Sequence, residues 1–250
     1  IKSVSSDIQL KVVPIDKTEE IAEHLPHAEV IAGSPRAIPA LEKAESLKWI
    51  HSFSAGMDKV LTPEVIASDV IASNSSGIHA IPIAEHVIGF MLLFTKQFRK
   101  TFAQQEQKVW QRVDGLTELK DKEVLILGLG NIGGEIARLA AAFGARVSAI
   151  DTVEEKPDYV EELGTPDQLS DMLPTADFVI VSLPLTDATH HLINAEKLSA
   201  MKNSAVLMNI GRGPIIDEQA LIQALKTKEI AGAALDVTEQ EPLSENSPLW

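Results

Sequence analysis

Residues 124–151, VLILGLGNIGGEIARLAAAFGARVSAID, narrow the fold of this 250-residue chain more than any other stretch. An apolar strand over 124–127 runs into Gly128-Leu129-Gly130-Asn131-Ile132-Gly133. An Ala-rich helix follows and stops at Gly144, and a second strand over 146–150 delivers Asp151. Two parallel strands joined by a helix suit a doubly wound α/β sheet. The glycines have separate duties. Gly128 allows the tight turn, Gly130 lets the backbone approach a pyrophosphate, and Gly133 lets the helix pack on the strand. Free N–H groups at the helix start favour the anion. Asp151, 23 residues beyond Gly128, suits the two ribose hydroxyls and repels a 2′-phosphate, so NAD is expected over NADP.

The rest of the second half repeats the alternation. Thr165-Pro166-Asp167-Gln168 carries a capping box, predicting a helix to about residue 173. Residues 178–183, 205–209 and 231–237 read as buried strands, with helices at 194–201 and, capped by Asp217, at 218–226. Residues 154–162 hold five acids and read as a solvated surface segment. In the first half, residues 30–32, 49–53 and 70–73 read as buried strands separated by mixed segments such as 37–44. Pro82 opens a long helix with Ile83, Val87, Ile88, Met91, Phe94, Thr95 and Phe98 on one apolar face, and 104–110 continues as a polar helix. The expected fold is α/β: two Rossmann-like domains with parallel sheets, divided at 1–95 and 96–250.

The formal net charge of −14 disfavours nucleic acid and anionic membranes as partners. The absence of cysteine excludes disulfides and thiolate metal sites, and no metal site is expected. It also fits a reducing compartment, so the expected location is the cytoplasm. The most apolar run, 87–94, is far short of a membrane span.

Three further clusters fall at strand ends, where such sheets bind ligands. They are Leu183-Pro184-Leu185-Thr186, then Asn209-Ile210-Gly211-Arg212-Gly213, then Leu235-Asp236-Val237 with Glu241-Pro242. Arg212 between two glycines offers a planar donor fork for a carboxylate. Asp236 suits the amide of a nicotinamide.

Taken together, GLGNIG, SLPLT, MNIGRGPIID and GAALDVTEQEPL resemble the D-isomer-specific 2-hydroxyacid dehydrogenases, including glyoxylate/hydroxypyruvate reductases and phosphoglycerate dehydrogenases. HSFSAGMD and SNSSGIHAIPIAEH resemble that family's substrate-binding domain. The resemblance covers about residues 30–250. It implies NAD-dependent interconversion of a 2-oxoacid and a D-2-hydroxyacid by hydride transfer, in a homodimer. It implies catalytic roles for Arg212 and Glu241, with Ala55, Gly56 and Arg212 on the substrate. It places Ser75, Gly128, Gly130, Asn131, Ile132, Gly133, Asp151, Pro184, Ile210, Gly211, Arg212 and Asp236 on the cofactor.

The family's catalytic histidine, the partner of Glu241, is expected in a Pro-His segment beyond Trp250. The chain reads as trimmed at both ends. None of His24, His27, His51, His79, His86, His190 and His191 stands in that histidine's context. His51 and His79 are nearest the expected cleft. Two other readings stay open: an NAD(H)-sensing binding protein similar to the family's corepressors, and an inactive fragment that still binds nucleotide.

Overall fold

The computed structural model describes residues 5, 7–33, 43–57, 60–153 and 155–250. The expected mixed segment 37–44 lies outside these up to residue 42, as does Glu154 of the acidic segment. The chain divides into two compact units, Ile1–Ile78 and His79–Trp250.

The first unit carries α1 (Thr18–His24), β1 (Val30–Gly33), β2 (Trp49–Ser52), α2 (Pro63–Ile66) and β3 (Ile71–Asn74). The strands form a parallel sheet in the order β1-β2-β3, with Ile50 opposite both Ile31 and Ala72. Of their residues only Ile50 and Ser52 are buried, so these are not the buried strands expected from sequence. Ile50, Val60 and Val65 make its small core, with Leu47 and Met57 packed against them. Thr62 caps α2 by accepting from the Val65 N–H.

The second unit opens with α3 (Ala80–Thr95) and α4 (Phe98–Glu106). It continues through β4 (Glu123–Leu127), α5 (Asn131–Ala142), β5 (Arg146–Ile150), β6 (Glu162–Gly164), α6 (Leu169–Met172), β7 (Phe178–Val181), α7 (Ala195–Ala200), β8 (Val206–Asn209), α8 (Glu218–Thr227) and β9 (Gly232–Leu235). Its six strands are all parallel, in the order β6-β5-β4-β7-β8-β9. Every residue of β7 and β8 is buried, which explains their unbroken apolar runs. One core layer joins Val87, Ile88 and Met91 of α3 to Ile136, Ala137 and Ala140 of α5 and to the sheet. A second layer packs Leu173, Leu198, Leu221 and Ile230 on the other face. Each fully buried Met, Leu or Ile contributes roughly 1.5–3 kcal/mol. Among the described residues, no helix is long and apolar enough to cross a membrane.

Three sequence expectations shift. The long helix, assigned from sequence to the first domain, packs on α5 in the second unit, so the division falls after residue 78 rather than 95. Its face stops at Thr95. Gln97 takes a left-handed conformation (φ 50°), and Phe98 starts α4 with its ring exposed. The polar helix therefore ends at Glu106 rather than continuing to Trp110. The acidic segment ends in an edge strand, β6, whose Leu163 pairs with Ala149. Three residues at a sheet edge leave too short a pattern to read from sequence.

Asp177 ties strand starts together. It accepts from the Glu123 N–H at 3.0 Å and from Lys202 Nζ at 3.0 Å. Burial alone would raise its pKa. The Glu123 hydrogen bond and the Lys202 charge outweigh burial and hold it below the ordinary value. The carboxylate therefore stabilises the fold above the unfolded-state pKa, and that stability is lost as pH falls through the lower folded value. Asp177→Asn is expected to cost about 1 kcal/mol at neutral pH, with the gap closing below about pH 4. Urea unfolding at the two pH values measures this.

Candidate functional site

Strand order reverses between β4 and β7, with β5 and β6 on one side of β4 and β8 and β9 beyond β7. At such a switch point the loops leaving the strand ends diverge and open a crevice. Every second-unit residue given a site role from sequence lies in one of those loops or at the start of α5.

The turn after β4 is built by contact rather than by flexibility alone. Gly128 sits at φ 97°, and a Cβ there would stand 2.8 Å from the Ser182 carbonyl oxygen. At Gly133 a Cβ would come within 1.8 Å of the Gly128 carbonyl oxygen, so α5 could not close on β4. Gly130 differs. A Cβ there would meet nothing within 4 Å, and the residue is the N-cap of α5. Open space at the first residue before a helix is where a phosphate can approach backbone N–H groups. Asn131 and Ile132 follow at the first helical positions.

Asp151 closes the other wall. Its Oδ2 accepts from the Leu129 N–H, inside the glycine turn. Its Oδ1 accepts from the N–H groups of Thr152 and Val153, at 2.6 and 3.1 Å. The carboxylate thus fixes the turn as well as standing beside it. A half-buried carboxylate has acceptor positions beyond these three bonds for ribose hydroxyls. The glycine turn, the open N-cap and the tethered acid together fit a dinucleotide.

Arg212 is placed by a residue not singled out from sequence. Asn209, 1% exposed at the end of β8, donates from Nδ2 to the Arg212 carbonyl at 2.9 Å and accepts from the Gly211 N–H at 3.0 Å. Arg212 is half-buried, and its Nη1 donates to the Gly211 carbonyl at 2.8 Å. The flanking glycines serve close packing. A Cβ on Gly211 would stand 2.6 Å from the Leu183 carbonyl oxygen, and one on Gly213 would stand 2.0 Å from the Thr238 carbonyl oxygen. The loops after β7, β8 and β9 are thereby pressed together around Arg212. Ile210, buried, also bonds through its N–H to the Val181 carbonyl, while Pro184 is exposed at the rim.

The loop after β9 is anchored twice more. Glu239 and the α8 residue Glu218 exchange bonds, each carboxylate accepting from the other's N–H at 3.2 Å. The His191 Nε2 lies 2.8 Å from Glu239 Oε1, and His190 and His191 stack with centroids 4.1 Å apart. Glu241 follows two residues later and is exposed. Asp236 is exposed at the end of β9, with His86 Nε2 of α3 at 3.8 Å from Oδ1. Among the described residues, no group of three or more His, Cys, Asp or Glu is placed to hold a metal ion.

Ala55, Gly56 and Ser75 lie in the first unit. The Ala55 carbonyl accepts from Asn74 Nδ2 at 2.6 Å, and the Gly56 carbonyl accepts from Ser54 Oγ at 3.1 Å. Ser75 Oγ lies 3.1 Å from His51 Nε2, while His51 Nδ1 lies 2.9 Å from Ser73 Oγ. His79 is the N-cap residue of α3. His24 ends α1, and His27 ends the short 3-10 turn Leu25–His27.

Residues 88–250 match the family model for the D-isomer specific 2-hydroxyacid dehydrogenase, NAD binding domain. The chain is 33% identical over 235 residues to D-3-phosphoglycerate dehydrogenase of Methanocaldococcus jannaschii, covering 91% of this chain and 44% of that protein. It is 36% identical over 217 residues to glyoxylate reductase of Thermofilum pendens, covering 84% and 63%. The chain thus spans less than two thirds of the length of these two relatives. A crystal structure of a D-isomer specific 2-hydroxyacid dehydrogenase family protein from Aeromonas salmonicida superposes with a TM-score of 0.88 at 35% identity. It matches 94% of this chain and 76% of that one.

Proposed function

This chain belongs to the D-isomer specific 2-hydroxyacid dehydrogenase family, and on that premise we propose that it interconverts a 2-oxoacid and a D-2-hydroxyacid with NAD(H). The observation that carries the proposal is the placement of Arg212. Asn209 and two close-packed glycine contacts hold it on the same sheet edge as the open N-cap of α5. Arg212 takes the substrate carboxylate and stabilises charge on the carbonyl oxygen, as a planar fork can do. The N-terminal N–H groups of α5 hold the pyrophosphate, Asp151 the ribose, and Asp236 the carboxamide. When bound, the nicotinamide supplies or accepts the hydride. Glu241 orients the family's acid–base histidine and favours its protonated form.

Asp151 favours NADH over NADPH, because a 2′-phosphate would meet a carboxylate already fixed by three backbone bonds. Fluorescence titration with both cofactors tests this, and NADPH binding as tight as NADH contradicts it. Oxidation of NADH with glyoxylate, hydroxypyruvate and larger 2-oxoacids tests the reaction. Cofactor binding with no turnover on any of them points instead to one of the two other readings, a binding protein or an inactive fragment.

A homodimer is part of the proposal. The buried face of α3 is already used against α5, so the available apolar surface is elsewhere. Phe98, Phe102 and Val109 are exposed, and Trp110 is fully exposed. Such a cluster is costly to leave in water. Light scattering at micromolar concentration is expected to report twice the chain mass, and a monomer mass contradicts it.

A further inference from the structure

Asp236 carries a charge that carboxamide recognition does not require. A carboxamide N–H needs an acceptor, and an Asn oxygen or a backbone carbonyl would serve. A carboxylate adds a full negative charge beside a ring that is cationic when oxidised and neutral when reduced. Left unopposed, that charge favours the oxidised cofactor. The structure sets a second group against it. His86, on the first half of α3, places Nε2 3.8 Å from Asp236 Oδ1.

The His86 ring is held edge-on to Phe90, one turn along, with centroids 4.3 Å apart. Its neighbours Val87 and Ile88 are buried in the core, and α3 is braced on α5. The helix therefore fixes the base of the side chain, and Phe90 restricts its ring. Meanwhile β9 fixes Asp236, whose N–H bonds to the Asn209 carbonyl at 3.0 Å. Both side chains are about half exposed, so the pair contributes little to stability. Its effect is on what binds beside it.

We propose that His86 is a positioning residue acting through Asp236. Its imidazolium offsets and orients the carboxylate, and so sets the relative affinity of the site for NAD⁺ and NADH. This rests on the reading that Asp236 lies at the nicotinamide. Protonated His86 lowers the negative potential at the ring and weakens NAD⁺ binding relative to NADH. Removing that positive charge strengthens NAD⁺ binding relative to NADH. A fixed cation at position 86 keeps the native ratio. With no charge at residue 236, the part of the effect that runs through the orientation of the carboxylate disappears, and the direct effect of the charge at residue 86 remains.

The test is the ratio Kd(NAD⁺)/Kd(NADH), measured by equilibrium titration at about pH 6, where imidazole can carry charge. His86→Gln is expected to lower the ratio by about three- to tenfold, the size of one screened unit charge near the ring. His86→Lys is expected to stay within about twofold of the parent. Asp236→Asn is expected to raise the ratio and to leave His86→Gln with a smaller further effect, a coupling that a structural role for His86 would not produce. An unchanged ratio in His86→Gln overturns the proposal, as does an equal change in the Asp236→Asn background. If the parent chain binds neither cofactor, the functional reading itself fails along with it. Binding with an insensitive ratio removes only the role of His86.

Discussion

In the intact protein, Arg212→Lys is expected to lower kcat/KM for a 2-oxoacid by about 10²–10³-fold, the cost of losing a donor proposed to face a developing oxyanion. The charge is kept, so the loss reports geometry. A lysine ammonium cannot present two parallel N–H donors to a carboxylate. Asn209 and the contact between Gly213 and Thr238 fix the backbone at 212, so a different side chain cannot recover the position by a shift of the loop. NADH affinity is expected to change by less than about twofold, since the pyrophosphate is assigned to α5. Stopped-flow or steady-state turnover with NADH titration separates the two. An equal loss in both would make the cofactor contact that the resemblance also implies the main role of Arg212, in place of the substrate.

Gly133→Ala is expected to damage both fold and binding. Its Cβ would lie 1.8 Å from the Gly128 carbonyl oxygen, so α5 must move away from β4. Overpacking of this kind costs about 1–3 kcal/mol. It also displaces the N–H groups proposed to hold the pyrophosphate, and NADH affinity is expected to fall by about tenfold or more. Gly130→Ala supplies the contrast. Nothing stands within 4 Å of its Cβ, and φ of −62° suits alanine. Its melting temperature is expected to be unchanged while NADH affinity falls, because the methyl group fills the approach to the N-cap. Thermal unfolding and NADH titration of the two variants read both effects. Loss of binding in Gly133→Ala alone would mean that the cradle is structural only.

The second unit is largely legible from sequence. Buried parallel strands read as unbroken apolar runs, as at β7 and β8, and Asp217 and Asn194 cap helices through their own side chains. Gly128, Gly133 and Asp151 carry a local pattern because their spacing is short. What the sequence hides is long-range. His86 and Asp236 are far apart in the chain, and no periodicity links them. The same holds for His191 with Glu239. Asn209 did leave a signal, a polar residue ending a buried strand, where an unpaired amide would be costly. The end of α3 was hidden for another reason. Gln97 turns left-handed without a glycine, and its side chain reaches the Gly115 carbonyl at 3.0 Å, far outside any helix-stop pattern.

Every binding and turnover expectation above rests on a nicotinamide dinucleotide binding at the N-terminus of α5. Equilibrium titration of the chain with NADH, followed by nicotinamide fluorescence, tests it most directly. Saturable one-to-one binding is expected, displaced by NAD⁺ and weakened in Gly130→Ala without loss of fold. No saturation up to about 1 mM, or a Gly130→Ala variant that binds as tightly as the parent, would contradict it.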